Sequence, residues 1–102
     1  MNAQESYVRI AEPSRVVGLE VERNELGLSV VLRLAAVDVP RTYVLRFRQV
    51  QELRLRSHYT ELQGIVLMLA EDISRSGLEG MRWRVKDYEE EFLSFVCAEI
   101  EK

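Results

Sequence analysis

The sequence predicts an all-β protein, arranged as a two-layer sandwich or half-open barrel of about six to seven mainly antiparallel strands. Two observations lead to this fold class. Apolar and polar residues alternate with a dominant period of two rather than 3.6, and short polar segments separate the alternating stretches. A chain of 102 residues can bury one core but is too short for a two-domain enzyme. We therefore expect a single domain over residues 1–102, with residues 1–14 as a partly ordered N-terminal segment.

The first two predicted strands form a hairpin over residues 15–36. Apolar side chains alternate with polar or small ones over 17–21 and largely again over 28–34, as in strands with one exposed face. Between them, residues 24–27 contain an Asn and a Gly, which tolerate the positive φ angles of a tight turn. Pro40 then interrupts the pattern, because proline has no N–H to donate to a neighbouring strand.

The pattern of apolar and polar residues in the middle of the chain predicts four more strands. Residues 43–48 and 50–56 alternate as two separate strands. The apolar run at 65–70 suits a central strand covered on both faces, and its six residues are few for the alternative, a buried helix. A polar connection over 71–80 leads to the next alternating strand, at 82–86.

The last segment admits two interpretations. Apolar residues alternate over 92–98 and predict a final strand, but three of them also recur, with Glu99, at the spacing of a helix face. The alternative fold is therefore α+β with a C-terminal helix at 88–101. We favour the strand because hairpins precede it. The predicted core consists of Val17, Leu19, Val21, Val30, Leu32, Leu45, Phe47, Leu67, Trp83, Val85 and Phe95.

Charge and cysteine content exclude several classes of protein. Residues 1–56 hold nine basic and seven acidic groups, whereas residues 57–102 hold five basic and ten acidic groups, which gives a net charge of −3. An acidic chain is a poor general binder of nucleic acid, whose affinity comes from cations on phosphates. The sequence has no apolar stretch of about 18 residues that could span a membrane, and residues 1–10 lack an apolar signal core. We expect neither nucleic acid nor a membrane as partner, and the single cysteine fits a cytoplasmic location.

Four carboxylates lie within five residues near the C-terminal end of the sequence. They are Asp87, Glu89, Glu90 and Glu91, and Glu79 lies on the preceding connection. We expect them to form an acidic surface that steers a basic protein partner. Two alternatives remain: a solvated turn that protects the ends of apolar strands, and a Ca²⁺ site, although the spacing matches no calcium loop.

Four arginines define a second candidate surface. Arg46, Arg48, Arg54 and Arg56 alternate along the strands predicted at 43–48 and 50–56, so they could form one cationic patch for phosphate or an acidic protein. The alternative is the ordinary solvent face of a sheet, where carboxylates on neighbouring strands pair with the arginines.

The sequence carries no recognisable catalytic or cofactor motif. Its five glycines form neither GxGxxG nor GxxxxGK, and it contains no HExxH or GxSxG. His58 and Cys97 are residue types that form catalytic dyads, but Cys97 lies in an apolar strand, where we expect a buried, inert thiol. We therefore predict no catalytic residues, no metal site and no cofactor.

The second half of the chain resembles a known class of proteins. It reads Asp72-Ile73-Ser74, Gly77-Leu78-Glu79-Gly80, Trp83, Val85, Asp87, Glu89, Phe95, Cys97 and Ile100-Glu101, preceded by Leu45-Arg46-Phe47-Arg48-Gln49-Val50 and Glu52-Leu53-Arg54. Over residues 43–101 this order resembles small uncharacterised bacterial single-domain proteins, some of which are similar to immunity proteins of polymorphic toxin systems. The resemblance implies a β-rich protein that acts by binding, and it supplies no catalytic residues.

Three functions are compatible with these observations. The first is a non-catalytic protein-binding module, such as an immunity-type inhibitor that occludes a basic toxin domain with its acidic surface. The second is a structural or self-assembling subunit that uses unpaired strand edges. The third is a small enzyme of unrecognised type, which would need a pocket that holds carboxylates with perturbed pKa values.

Overall fold

The alternation of apolar and polar residues produces an all-β architecture, as predicted. The structure is a computed structural model that describes residues 7–25, 27–55, 65–75, 80–88 and 93–102. The strands in these residues are β1 (Tyr7–Arg9), β2 (Ser14–Asn24), β3 (Gly27–Ala36), β4 (Thr42–Leu55), β5 (Met68–Asp72), β6 (Trp83–Asp87), β7 (Leu93–Cys97) and β8 (Glu99–Glu101). They form one antiparallel sheet in the order β1-β5-β6-β7-β4-β3-β2, with β8 also paired to β4. The sheet does not close into a barrel, although a bridge between Ser14 and Val66 links its two edges at one corner.

The long strand β4 divides this sheet into two halves. Its first part pairs with β3, and its last part, beyond Val50, pairs with β7. On either side of this change of partner, Gln49 and Glu52 adopt φ angles of 55° and 56°, in the left-handed region that non-glycine residues rarely visit. Irregularities of this kind bend and twist a strand. The strands predicted separately at 43–48 and 50–56 are therefore one bent strand.

The bend also changes which residues of β4 point into the core. Leu45 and Phe47 are fully buried before the first irregular residue, Val50 is buried after it, and Leu53 packs against the core after the second. The inner faces of the two halves pack into one apolar cluster, in which the rings of Phe47 and Phe95 meet edge to face at 4.8 Å. This packing gives the two layers that the sequence predicts.

Two predicted core residues of β2 are exposed instead. Val17 is 63% exposed and Val21 is 46% exposed. A register shift between Val16 and Gly18 turns Val17 outward, while Val16 and Leu19 pack against the core. Val21 lies farther along this strand, beyond the bridge from Ser14 to Val66, where no described strand pairs with the outer side of β2.

The apolar run at 65–70 is covered on one face only. Val66, Met68 and Ala70 are fully buried, whereas Leu67 and Leu69 are half-buried. The prediction of a strand covered on both faces is therefore wrong, because nothing in the described part of the chain lies over the outer side of β5. Trp83, also expected in the core, is likewise half-buried and packs at its margin.

Strands, rather than the alternative helix at 88–101, form the described end of the chain. β7 and β8 follow one another along β4, and the N–H of Ala98 donates to the carbonyl of Arg48 at 3.0 Å between them. Leu93, Phe95 and Cys97 point inward with a period of two. At the other end of the chain, residues 7–14 lie along β5, since β1 pairs with it and Ser14 bridges to Val66.

Replacing Gly27 with alanine should destabilise the protein by roughly 1–2 kcal/mol, because a Cβ at positive φ is strained. Gly27 has a φ of 120° where β3 begins, opposite Asn24. The free energy of unfolding in urea measures this cost. Gly18→Ala is the matched control: its new Cβ would lie 3.1 Å from Cδ of the long Arg33 side chain, which can move aside. Equal losses for both variants would show that positive φ is not the cause.

Candidate functional site

Asp87, the first member of the predicted acidic surface, is fully buried. It ends β6 on the inner face, and its Oδ1 accepts a hydrogen bond of 3.0 Å from the backbone N–H of Leu67. Its carboxylate therefore holds the start of the β5 segment and is not available to a partner. This corrects the prediction for Asp87. Glu79, Glu89, Glu90 and Glu91 lie outside the described residues.

The predicted basic face is divided by the bend in β4. Arg46 and Arg48 lie before the bend, directly opposite Glu101 and Glu99 of β8. The guanidinium of Arg48 forms an ion pair of 2.7 Å with Glu101. Arg48 also lines a groove of about 380 Å³, together with Glu22 and Glu99. Positive and negative groups therefore lie opposite one another at this end of β4.

Arg54 lies after the bend, on the other half of the sheet. It lines a shallow depression with Glu52, Arg84 and Ser94. Both irregular residues of β4 separate it from Arg48, so the structure does not join Arg46, Arg48 and Arg54 in one patch. Arg56 lies outside the described residues.

The cysteine lies in the core rather than in a site. Cys97 is fully buried, and burial raises the pKa of its thiol to about 12. A thiol in this state is neutral and a poor nucleophile at physiological pH. His58, its candidate partner, lies outside the described residues. Within the described ranges, no three His, Cys, Asp or Glu side chains lie close enough together to hold a metal ion.

The outer face of β1, β5 and β6 carries an exposed groove that the alternation of residues in the sequence does not predict. We call it the outer groove; it is about 240 Å³ and is lined by Tyr7, Arg9, Leu67, Leu69, Lys86 and Tyr88. Leu69 pairs with Arg9 on one side and with Lys86 on the other. Directly paired residues share one face of a sheet, so this row places a cation on each side of an apolar floor.

Positive groups extend from the outer groove across the same half of the sheet. Lys86 pairs with Ser94, which pairs in turn with Arg54, so the row continues to β4. The ammonium of Lys86 lies 4.5 Å from the ring centre of Tyr7, a distance at which a cation and an aromatic face attract. On the neighbouring row, Glu71 forms an ion pair of 3.8 Å with Arg84.

This groove is formed by residues that are distant in the sequence. Tyr7 and Arg9 fall in the segment expected to be partly ordered, and Leu69 falls in the run expected to be covered on both faces. Alternation along β6 does place Lys86 and Tyr88 on an outer face. It does not show which strands lie beside them. The sequence therefore indicates which face of the sheet these two side chains take, but not the groove that they line.

Taken together, fold and site define a small all-β protein that presents surfaces for contact. The described residues contain no helix long and apolar enough to cross a membrane. A comparison with protein-family models matches residues 2–101 to the family described as Immunity protein PIM8. The chain belongs to this family of immunity proteins, which confirms the resemblance seen over 43–101.

The family gives the general role of the chain, that of an immunity-type inhibitor that binds a protein toxin. No match was found among curated proteins, and none among solved structures.

Proposed function

We propose that this protein neutralises its toxin by steric occlusion, in a non-covalent complex that covers the surface through which the toxin acts. The observation that carries the proposal is the outer groove, an exposed apolar and aromatic surface between cations. Surfaces of this composition are typical of protein interfaces. The groove lies on hydrogen-bonded strands, so its shape is set before the partner arrives.

We also propose a cytoplasmic location, which rests on the single cysteine in the sequence.

The acidic surface is a second candidate for toxin contact. Residues 89–91 are three consecutive glutamates, and the net charge of the chain is −3. We propose that these glutamates attract a basic toxin at long range, since charge complementarity raises association rates. Asp87 takes no part, because it is buried.

A titration of toxin activity tests occlusion. The toxin is isolated through its complex with the tagged full chain, separated in denaturant, refolded and assayed with increasing amounts of the inhibitor. Because an occluding inhibitor is consumed by the complex, residual activity should fall linearly to zero at one equivalent when concentrations are far above Kd. The toxin recovered from the complex should have its original mass and activity.

A different result would identify the other functions. Complete, time-dependent loss of activity at a tenth of an equivalent would show that the protein is an enzyme that inactivates the toxin. Toxin that remains fully active at several equivalents would overturn occlusion. A mass that rises with concentration in the absence of toxin would favour the self-assembling subunit.

The variant Glu89→Lys/Glu90→Lys/Glu91→Lys tests the acidic surface, and slower association with unchanged folding is the expected result.

A further inference from the structure

We propose that the outer groove binds an acidic segment of the toxin, in which an apolar side chain is flanked by carboxylates. The inference rests on the proposed function and specifies the chemistry of the partner. It is carried by the order of groups across the groove, which is a cation, an apolar floor and a second cation.

The floor of the groove suits one protruding apolar side chain. Leu67 and Leu69 are half-buried at its base, and Tyr88 is 48% exposed beside them. The volume of about 240 Å³ is below the range of roughly 300–1,000 Å³ usual for small-molecule sites. Tyrosine side chains beside a small recess, here Tyr7 and Tyr88, are typical of the positions that dominate binding energy at protein interfaces.

The rim of the groove determines the charge of the occupant. The backbones of Arg9 and Lys86 lie on the two strands that flank Leu69, about 10 Å apart at the usual spacing between neighbouring strands. The structure shows no ion pair for either side chain among the described residues, and the ammonium of Lys86 faces the ring of Tyr7. Carboxylates on each side of an inserted apolar residue would meet these two cations.

The other charged residues that the structure describes on this half of the sheet leave room for an acidic occupant. Glu71 is engaged by Arg84, and Arg54 adds a cation at the far end of the row, beside Glu52. The groove beside Arg46 and Arg48 differs, because carboxylates of β8 already oppose these arginines. An apolar floor between the cations favours a protein segment over a phosphate backbone, which presents no apolar group for it.

Binding of two synthetic peptides tests the inference without the toxin. The probes are the capped peptides Glu-Asp-Leu-Phe-Asp-Glu and Lys-Lys-Leu-Phe-Lys-Lys, added at millimolar concentration to the ¹⁵N-labelled full chain. We expect the acidic peptide to shift the amide signals of Leu67, Leu69 and Lys86, and the basic peptide to leave them unchanged. Shifts with the basic peptide, with both, with neither, or with the acidic peptide only around Arg46 would overturn the inference.

Charge reversal in the toxin titration gives the second test. Arg9→Glu/Lys86→Glu should weaken toxin binding by about 100-fold, because interfacial charge pairs are lost and replaced by repulsion. The matched control is Arg15→Glu/Arg23→Glu, which makes the same charge change on exposed residues of the edge strand β2 and should bind like the wild type. Thermal unfolding confirms that both variants are folded.

The two proposals fail in distinguishable ways. If the wild type inhibits stoichiometrically while Arg9→Glu/Lys86→Glu binds as well as the control, occlusion holds and the outer groove is not the contact. If the acidic peptide binds the groove but the wild type does not inhibit at one equivalent, the groove recognises acidic segments and occlusion is wrong.

A variant of the apolar floor, Leu69→Ser, should weaken toxin binding about tenfold, since it removes part of the floor.

Discussion

Phe47→Ala should destabilise the protein by about 3–5 kcal/mol, the usual cost of truncating a buried aromatic side chain. Phe47 is fully buried and packs edge to face on Phe95 at 4.8 Å. The loss should be at the upper end of this range, because Phe47 lies where the two halves of the sheet share one core. Chemical denaturation followed by circular dichroism measures the change in the free energy of unfolding.

Two further variants show whether burial explains that loss. Val44→Ala changes a residue of the same strand that is 39% exposed, and it should alter stability by less than about 0.5 kcal/mol. Phe47→Leu, which keeps most of the apolar volume, should lie between the two. A cost for Phe47→Ala below about 1 kcal/mol would show that the halves do not depend on this contact.

Asp87→Ala should cost about 1–3 kcal/mol, since it leaves the partly buried N–H of Leu67 without the acceptor that the structure gives it. Asp87→Asn keeps an oxygen in the same place and should retain more stability. Both values come from denaturation curves at neutral pH. If the carboxylate were a surface group, as its acidic neighbours in the sequence indicate, both variants would match the wild type.

An exposed carboxylate provides the control for Asp87. Asp72 also accepts a backbone hydrogen bond, from the N–H of Ser74 at 2.9 Å, and this contact lowers the pKa of its side chain. Water can replace that acceptor, so Asp72→Ala should destabilise less than Asp87→Ala. The reverse order would contradict a structural role for Asp87.

The sequence predicts the strands of the sheet better than it predicts the places where those strands become irregular. Alternation identifies the β2–β3 hairpin and the strand character of residues 93–97, because one buried face imposes a period of two. It does not reveal the bend in β4, since Gln49 and Glu52 are not residue types that mark left-handed backbone. The same limit explains Val17, which one register shift moves from the expected core to the surface.

The candidate site was less predictable than the fold, for a reason of geometry. Period-two alternation states which face a side chain takes but not which strand lies beside it. The outer groove depends on Arg9, Leu69 and Lys86 lying in one row, and that register joins three separate parts of the chain. Asp87 shows the same limit. Its acidic neighbours in the sequence indicate an exposed side chain, but its carboxylate is buried and accepts a hydrogen bond from the N–H of Leu67, which is distant in the sequence.

The pairing of β4 with residues 93–101 also affects when the inhibitor becomes available. Tyr7 pairs with Glu71, and Arg46 with Glu101, so many contacts join segments that are made far apart in time. Proteins dominated by such contacts fold slowly, in milliseconds to seconds, and here β4 cannot be completed before residues 93–101 leave the ribosome. Molecules still under synthesis therefore have no finished surface to offer a toxin.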